Sequence, residues 1–177
     1  MNKDNINTVA HRWLKEFLQP HHVCVDGTCG NGNDTLFLAE RTQKVYGFDI
    51  QSQAIENTKK RCAHLNNITL FQMSHAEMKD VISEPVDCVI FNFGYLPKAD
   101  PTIITQPDSS LKAVQAAWDL LRKDGVLVLC CYVGHTGGQE ETDVIDHWIL
   151  ENQLSIDLTY RQDRPQSPIL KIIKKDA

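Results

Sequence analysis

The stretch VDGTCGNGNDT, residues 25–35, decides how the rest of the chain is read. An apolar run of Val23, Cys24 and Val25 meets the acidic Asp26. Three glycines, Gly27, Gly30 and Gly32, follow within six positions, and a helical pattern then begins. Glycine has no Cβ, so the backbone can turn tightly there and come close to a ligand. The helix that follows offers unpaired N–H groups at its first turn. A strand, a glycine turn and a helix in this order hold nucleotide-like cofactors at the end of a first strand. An ordinary tight loop has the same composition, so the remaining chain must discriminate between the two.

Bulk properties narrow the class. A chain of 177 residues is read as one domain spanning residues 1–177, with residues 1–20 forming an N-terminal helix packed on the core. The longest strongly apolar run, residues 126–133, is too short to cross a bilayer, so no membrane association is expected. The first residues, MNKDNINTVAHRW, lack the apolar centre of a signal peptide, which makes a cytoplasmic protein the expectation. Six cysteines without a C-x-x-C pair read as small buried hydrophobes in a reducing compartment. Seven scattered histidines show no ligand-like spacing, and no metal is expected. A net charge of −5 is unusual for a protein that grips nucleic acid alone. RNA binding would need a local basic patch, or two subunits combining their patches.

Periodicity supplies the architecture. Residues 8–18 carry Ala10, Trp13, Leu14, Phe17 and Leu18 at helical spacing, with Arg12 and Lys15 on the solvated face, and Pro20 stops the helix. Strands are read at 23–26, 45–49, 68–71, 86–91 and 126–132, with helices after the glycine turn, at 52–64 from a Ser52 cap, from Asp108 or Ser109, and around Val144, Ile145, Trp148 and Ile149. Asp124-Gly125 reads as the turn into the fifth strand. Residues 154–160 and 169–173 form two closing strands joined by a short loop, which must be antiparallel if they pair. The fold class is α/β: a Rossmann-like sheet of seven strands, mostly parallel, one strand reversed near the C-terminal edge, helices on both faces. Ligands of such sheets bind at the carboxyl ends of the strands.

Asp49, at the end of the second strand, is placed to accept hydrogen bonds from ribose hydroxyls. That serves NAD and S-adenosylmethionine equally. Asp26 before the first glycine suits a cationic ligand, the G-x-x-G-x-G spacing differs from the G-x-G-x-x-G of dinucleotide sites, and the antiparallel finish departs from nicotinamide folds. The combination resembles the class I S-adenosylmethionine-dependent methyltransferases. The loop Asn92-Phe93-Gly94-Tyr95 resembles the Asn/Asp-Pro-Pro-Tyr/Phe loop of enzymes that methylate amino nitrogens, without its two prolines. That resemblance makes Asn92 and the Phe93 carbonyl acceptors for the substrate N–H groups and Tyr95 a stacking platform. A turn residue satisfying its own backbone is the plain alternative for Asn92.

VDGTCGNGNDT, NFGYLP-x-x-D, Y-x-GH-x-GG-x-x-E and R-P-x-S-P-x-L together resemble a narrower group, the small family labelled rRNA methylases. That family includes the bacterial enzyme that completes 5-methylaminomethyluridine at the tRNA wobble position. The chain departs from it at Lys98-Ala99, where glycines are common, and at Asp163, where asparagine is common.

The resemblance implies S-adenosyl-L-methionine held by Asp26, Gly27, Thr28, Cys29, Gly30, Asn31, Gly32, Asn33 and Asp34, by Asp49 and Ile50, by Ser74 and His75, and by Asn92 and Phe93. It implies methylation of the primary amine of 5-aminomethyluridine in the tRNA anticodon loop. The transfer site would be Asn92, Tyr95 and His135, with His135 or Asp100 as base, Asp100 equally fitting as the group that binds the ammonium. Substrate contacts would come from Tyr95, Lys98, Tyr132, His135, Gly137, Gly138, Arg161 and Arg164. A plain strand-to-helix loop is the other reading of residues 134–138, and a capping role the other reading of His75. A homodimer would place a second basic set beside the first. The competing acceptors are rRNA and a small amine, and a cofactor-binding module without catalysis is the alternative of another class.

Overall fold

The computed structural model describes residues 4–94 and 107–176. Helix α1 (Ile6–Phe17) starts where the Asn5 side chain accepts the Thr8 N–H at 2.9 Å, and it buries Ile6, Val9, Ala10 and Leu14. The chain then alternates through β1 (Val23–Asp26), α2 (Asn33–Ala39), β2 (Lys44–Asp49), α3 (Ser52–Arg61) and β3 (Ile68–Gln72). A short 3-10 helix (His75–Asp80) leads to β4 (Val86–Phe93), α4 (Pro107–Leu120), β5 (Leu121–Cys131), α5 (Gly138–Glu151), β6 (Ile156–Arg161) and β7 (Ile169–Lys174).

These strands form one seven-stranded sheet in the order β3-β2-β1-β4-β5-β7-β6. Strand β7 pairs antiparallel with both β5 and β6, so it alone runs against the others, as the short closing loop requires. The period-2 alternation of strands divides the core into two layers. Val25, Phe48, Phe91, Phe93, Leu127 and Leu129 face α4, α5 and the 3-10 helix. Cys24, Val45, Ile90, Val128, Cys130 and Ile172 face α1 and α2. All six cysteines are unpaired and buried. No helix among the described residues is long and apolar enough to cross a membrane.

Strand order, rather than any single residue, positions the site. From β1 the chain winds outward through β2 and β3, then returns to place β4 on the other side of β1. The two windings diverge between β1 and β4, and a crevice at such a switch point is where open α/β sheets bind ligands. Asp26 pairs in register with Ile90, so the glycine turn leaves the sheet beside Asn92, two residues further along β4.

Four local expectations are corrected. Asn92 and Phe93 belong to β4 rather than to a loop after it, because the strand keeps pairing with Cys130 and Cys131 of β5. Ser52 is the first residue of α3, not its cap. Gln51 holds the cap position, and its N–H is taken at 3.0 Å by the Asp49 carboxylate. Asp108 and Ser109 lie in the first turn of α4, behind Pro107, a residue that suits the start of a helix because it lacks an N–H. Asp124, at φ 69°, turns inside β5, which starts at Leu121 and there exchanges backbone bonds with Lys175.

Candidate functional site

The glycine loop is locked from below. Asp26 is fully buried, and its carboxyl accepts the Thr28 N–H at 3.1 Å and the Thr35 hydroxyl at 2.7 Å, which ties the loop to α2. Burial, reinforced by the neighbouring charge of Asp34, pushes the Asp26 carboxyl up to about 7, against the two hydrogen bonds that favour its charged form. A Cβ on Gly27 would stand 2.3 Å from the Phe91 ring, so only glycine fits this approach. Gly32 caps α2 at φ 86°, a left-handed conformation that β-carbon sterics oppose. Across the crevice, one Asp49 oxygen accepts the Gly30 N–H at 3.1 Å while the other holds Gln51. Ile50 beside it leaves 56% of its surface exposed.

Behind β3, the Ser74 hydroxyl accepts the Ala76 N–H and caps the 3-10 helix. His75 Nδ1 lies 2.8 Å from the Gly27 carbonyl, so that nitrogen carries the proton. Burial lowers the His75 pKa and keeps the ring neutral, edge-on to Phe91 and Phe93. His75 therefore supports the glycine loop directly.

Above the loop lies a cavity of about 590 Å³, lined by Thr28, Cys29, Gly30, Asn31, Asn33, Asp34, Asn92, Gly94 and Tyr132, and by residues of α1 and α2. At its centre runs a chain of three side chains. His11 Nε2 meets Asp34 Oδ1 at 2.6 Å, and Asp34 Oδ2 accepts Asn92 Nδ2 at 2.5 Å. The Asn92 backbone N–H donates to Thr28 Oγ1 at 2.6 Å. Asn92 Oδ1 is buried and has no partner among the described residues. The His11 ring stacks on Phe37 at 3.9 Å, and the Arg41 guanidinium covers Phe37 at 4.0 Å.

The structure gathers Thr28, Cys29, Gly30, Asn31, Asn33, Asp34, Asn92 and Tyr132 at this cavity, while Asp26, Gly27, Gly32, Asp49, Ile50, Ser74, His75 and Phe93 do not line it. Burial raises the Tyr132 hydroxyl to about 12, so it stays protonated at neutral pH. Phe93 is buried against Phe91, and its carbonyl already accepts the Tyr132 N–H at 3.1 Å, leaving one lone pair. His135, Gly137, Gly138, Arg161 and Arg164 do not line the cavity. His135 Nδ1 lies 3.0 Å from the Thr136 carbonyl, Gly137 caps α5, and Gly138 packs against the Tyr132 carbonyl. Arg161 clamps the closing loop through two bonds to Ser167. Glu141, fully buried, accepts the Ser110 hydroxyl at 2.5 Å and ties α5 to α4. Tyr95, Lys98 and Asp100 lie outside the described residues.

His11, Phe37 and Arg41 had no sequence signal that set them apart. On α1 the apolar stripe is legible and His11 reads as part of the polar face. Only the packing of α1 over α2 and β5 brings it to the cavity.

Sheet order, glycine loop and the carboxylate ending β2 define a class I methyltransferase, the class whose methyl donor is S-adenosylmethionine. A family model described as "Putative rRNA methylase" matches residues 45–170, and the chain belongs to that family. A structure from Clostridium thermocellum described as a "putative rRNA-methylase" has a TM-score of 0.88 and 35% identity, over 99% of this chain and 100% of that one. A "putative methyltransferase" from Streptococcus mutans, solved in complex with SAH, has a TM-score of 0.88 and 32% identity over 99% of each chain. The chloroplastic tRNA (mnm(5)s(2)U34)-methyltransferase of Arabidopsis thaliana is 36% identical over 159 residues, 78% of this chain. The chain spans 56% of that relative's own length.

Proposed function

We propose that the chain transfers a methyl group from S-adenosylmethionine to the primary amine of 5-aminomethyluridine at the tRNA wobble position, giving 5-methylaminomethyluridine. The observation that carries this reading is the buried Asn92 Oδ1. A buried acceptor without a donor costs free energy. An amine N–H from a substrate in the adjoining cavity would supply that donor. The name of the Arabidopsis relative supports the wobble uridine as acceptor.

The donor would rest on the glycine loop, with its ribose at Asp49 and the base beside exposed Ile50 and half-buried Ser74 and His75. It supplies an electrophilic methyl on a sulfonium. The protein's part is to present the amine in its neutral form, since only that form has a lone pair. An aliphatic amine titrates at roughly 10 in water, and a buried cavity disfavours the ammonium. Asn92 aims the nitrogen by accepting one N–H, and in-line attack then needs no covalent intermediate. Tyr95, His135 and Asp100 remain our candidates to stack the base and take the proton, and Tyr132 to wall the substrate. Lys98, Arg161 and Arg164 would touch RNA phosphates, Gly137 and Gly138 would shape the rim, and a homodimer in the cytoplasm would supply the second basic set that the net charge of −5 calls for.

The family description favours rRNA as a second acceptor. Nucleoside mass spectrometry of tRNA from a deletion strain separates the two. Accumulated 5-aminomethyluridine with loss of its methylated form is the expected result. Unchanged wobble uridines overturn the proposal.

A further inference from the structure

The cavity holds a pair of side chains whose contact with each other the reading above does not use: His11, which it leaves without a task, and Asp34, which it places only beside the cofactor. His11 comes from α1 and Asp34 from α2, elements on one face of the sheet, and both line the cavity beside Asn92. A carboxylate accepts hydrogen bonds and donates none. The Asp34 carboxylate lies 2.6 Å from His11 Nε2 and 2.5 Å from the Asn92 amide, so the two neighbours must both present N–H groups to it. For Asn92 this is decisive. An amide can be turned over with little change of shape, exchanging its oxygen for its nitrogen. Turned over here, its oxygen would stand against a carboxylate oxygen at contact distance, two acceptors with no proton between them. Asp34 thus fixes Nδ2 toward itself and leaves Oδ1 as the free end.

From this we infer that His11 and Asp34 are positioning residues that lock the Asn92 amide with its acceptor oxygen toward the substrate amine. The inference rests on the function proposed above, because it gives the amine its acceptor. His11 acts through Asp34: its N–H occupies the second carboxylate oxygen and stops the group from swinging away from Asn92. The His11 ring is itself held, stacked on Phe37 with an interplanar angle of 13°, and the Arg41 guanidinium also packs on Phe37. Its side chain is 24% exposed and that of Asp34 only 10%, so the pair stands at the inner wall of the cavity rather than on the surface. Without it, Asn92 would present oxygen and N–H groups in turn. An N–H facing the amine repels the hydrogens that the acceptor must receive.

The step itself is unchanged. The amine nitrogen forms the N–CH3 bond with its lone pair, the S–CH3 bond breaks with its electrons staying on sulfur, and the secondary ammonium sheds one proton to solvent or to a base. The pair acts before this step, in the bound ground state and through the transition state alike, by fixing a direction.

The test uses the intact protein, S-adenosylmethionine and an anticodon stem-loop carrying 5-aminomethyluridine. Asp34→Asn, whose own amide can donate to a turned-over Asn92, should lower kcat about 100-fold, the cost typical of a misaimed reacting group. His11→Leu should lower it about tenfold, the usual loss for one hydrogen bond to a charged group. His11→Gln, which restores an N–H near the Nε2 position, should recover most of the rate. Calorimetric affinity for S-adenosylhomocysteine should stay within about twofold in His11→Leu and His11→Gln, below what one lost hydrogen bond costs. A second measurement does not depend on turnover. In protein labelled with 15N-asparagine, the Asn92 side-chain N–H bonded to Asp34 should resonate downfield and move upfield in Asp34→Asn and His11→Leu. Unshifted Asn92 signals, wild-type kcat in both variants, loss confined to cofactor affinity, or failure of His11→Gln to rescue would each overturn the inference. A wild-type protein inert on this RNA would instead overturn the proposed substrate, with the Asn92 signals still deciding the role of the pair.

Discussion

The two halves of the crevice are built on opposite plans. On the β1–β2 side the glycine loop is held from within by buried or half-buried side chains. Asp26 holds Thr28 and Thr35, Asp49 holds Gly30 and Gln51, and His75 holds the Gly27 carbonyl. On the β5–β7 side the loops after the strands are more exposed. Arg161 bonds within its own loop, to Ser167. A site that must hold one invariant cofactor gains from preorganisation, since no ordering cost is left for the binding step. A surface that receives a large, flexible polymer needs reachable charges more than fixed ones. Under the function proposed above, the donor would lie on the rigid half and the RNA on the more exposed one.

The largest break in that comparison should come from a methyl group. Gly27→Ala puts a Cβ 2.3 Å from Phe91, and that ring cannot yield because it is fully buried and stacked on Phe93 at 4.9 Å. We expect a loss of about 3 kcal/mol of stability, the upper range for overpacking, and no measurable cofactor binding. The matched change on the other half, Gly134→Ala, meets nothing closer than 3.6 Å. It should cost under about 0.5 kcal/mol. Urea unfolding of both variants checks the pair, and equal costs would erase the distinction between the halves.

Asp26 sharpens the same contrast through pH. Its carboxyl sits at about 7 in the folded protein and near the ordinary carboxylate value in the unfolded chain. The folded state therefore keeps a proton that the unfolded state releases. Stability from this group is full below about pH 4 and is lost as pH rises to about 7, a swing on the order of 4 kcal/mol. Asp26→Asn, which cannot ionise, should flatten that slope in urea titrations at pH 5 and pH 8. A sulfonium or ammonium bound nearby would favour the charged carboxylate. Cofactor affinity of the wild type should then rise across the same window, with proton uptake or release visible by calorimetry in two buffers. An affinity independent of pH would take Asp26 out of cofactor recognition and leave it as a staple of the loop.

What the sequence made legible follows the same division. Strands β1 and β2, the glycine turn and the reversed β7 are written in local patterns: apolar runs, Gly spacing and two strands too close in sequence to pair in parallel. Strand β4 was read two residues short because Asn92 and Phe93 look like loop residues, and only their pairing with β5 extends the strand. The cap of α3 was misassigned because a carboxylate from the end of β2, not the serine, serves the chain there. His11 was not legible at all. Its neighbours across the cavity are 23 residues or more away in the chain, and no spacing rule connects a polar face of one helix to the first turn of another. Local chemistry was readable, while side chains converging from separate elements required the fold.

Asp49 offers an intermediate effect. Asp49→Ala removes the acceptor for Gly30 and Gln51 together and should free the loop on the side where the ribose would lie. We expect cofactor affinity to fall by about 1–2 kcal/mol, the value of one or two hydrogen bonds to a charged group. Turnover at saturating cofactor should change little. Titration calorimetry with S-adenosylhomocysteine beside saturated kinetics measures both quantities. A fall in kcat with unchanged affinity would mean that Asp49 aims the methyl rather than holding the donor.

The smallest effect belongs to the more exposed half. Arg161 and Arg164 are exposed, and Arg161 holds its loop through Ser167. If the closing loop meets RNA phosphates, Arg164→Ala should weaken stem-loop binding a few-fold and reduce the dependence on log salt concentration by about one unit per lost contact. Cofactor affinity should not move. Arg161→Ala should add a loss of loop order to the same charge effect, so its deficit should exceed that of Arg164→Ala and persist at high salt, where screening removes the purely electrostatic part. Equal, fully salt-sensitive deficits would show that both arginines act as charges alone. No deficit in either would move the RNA surface to the α1–α2 side, where Arg41 already lies on the cavity wall.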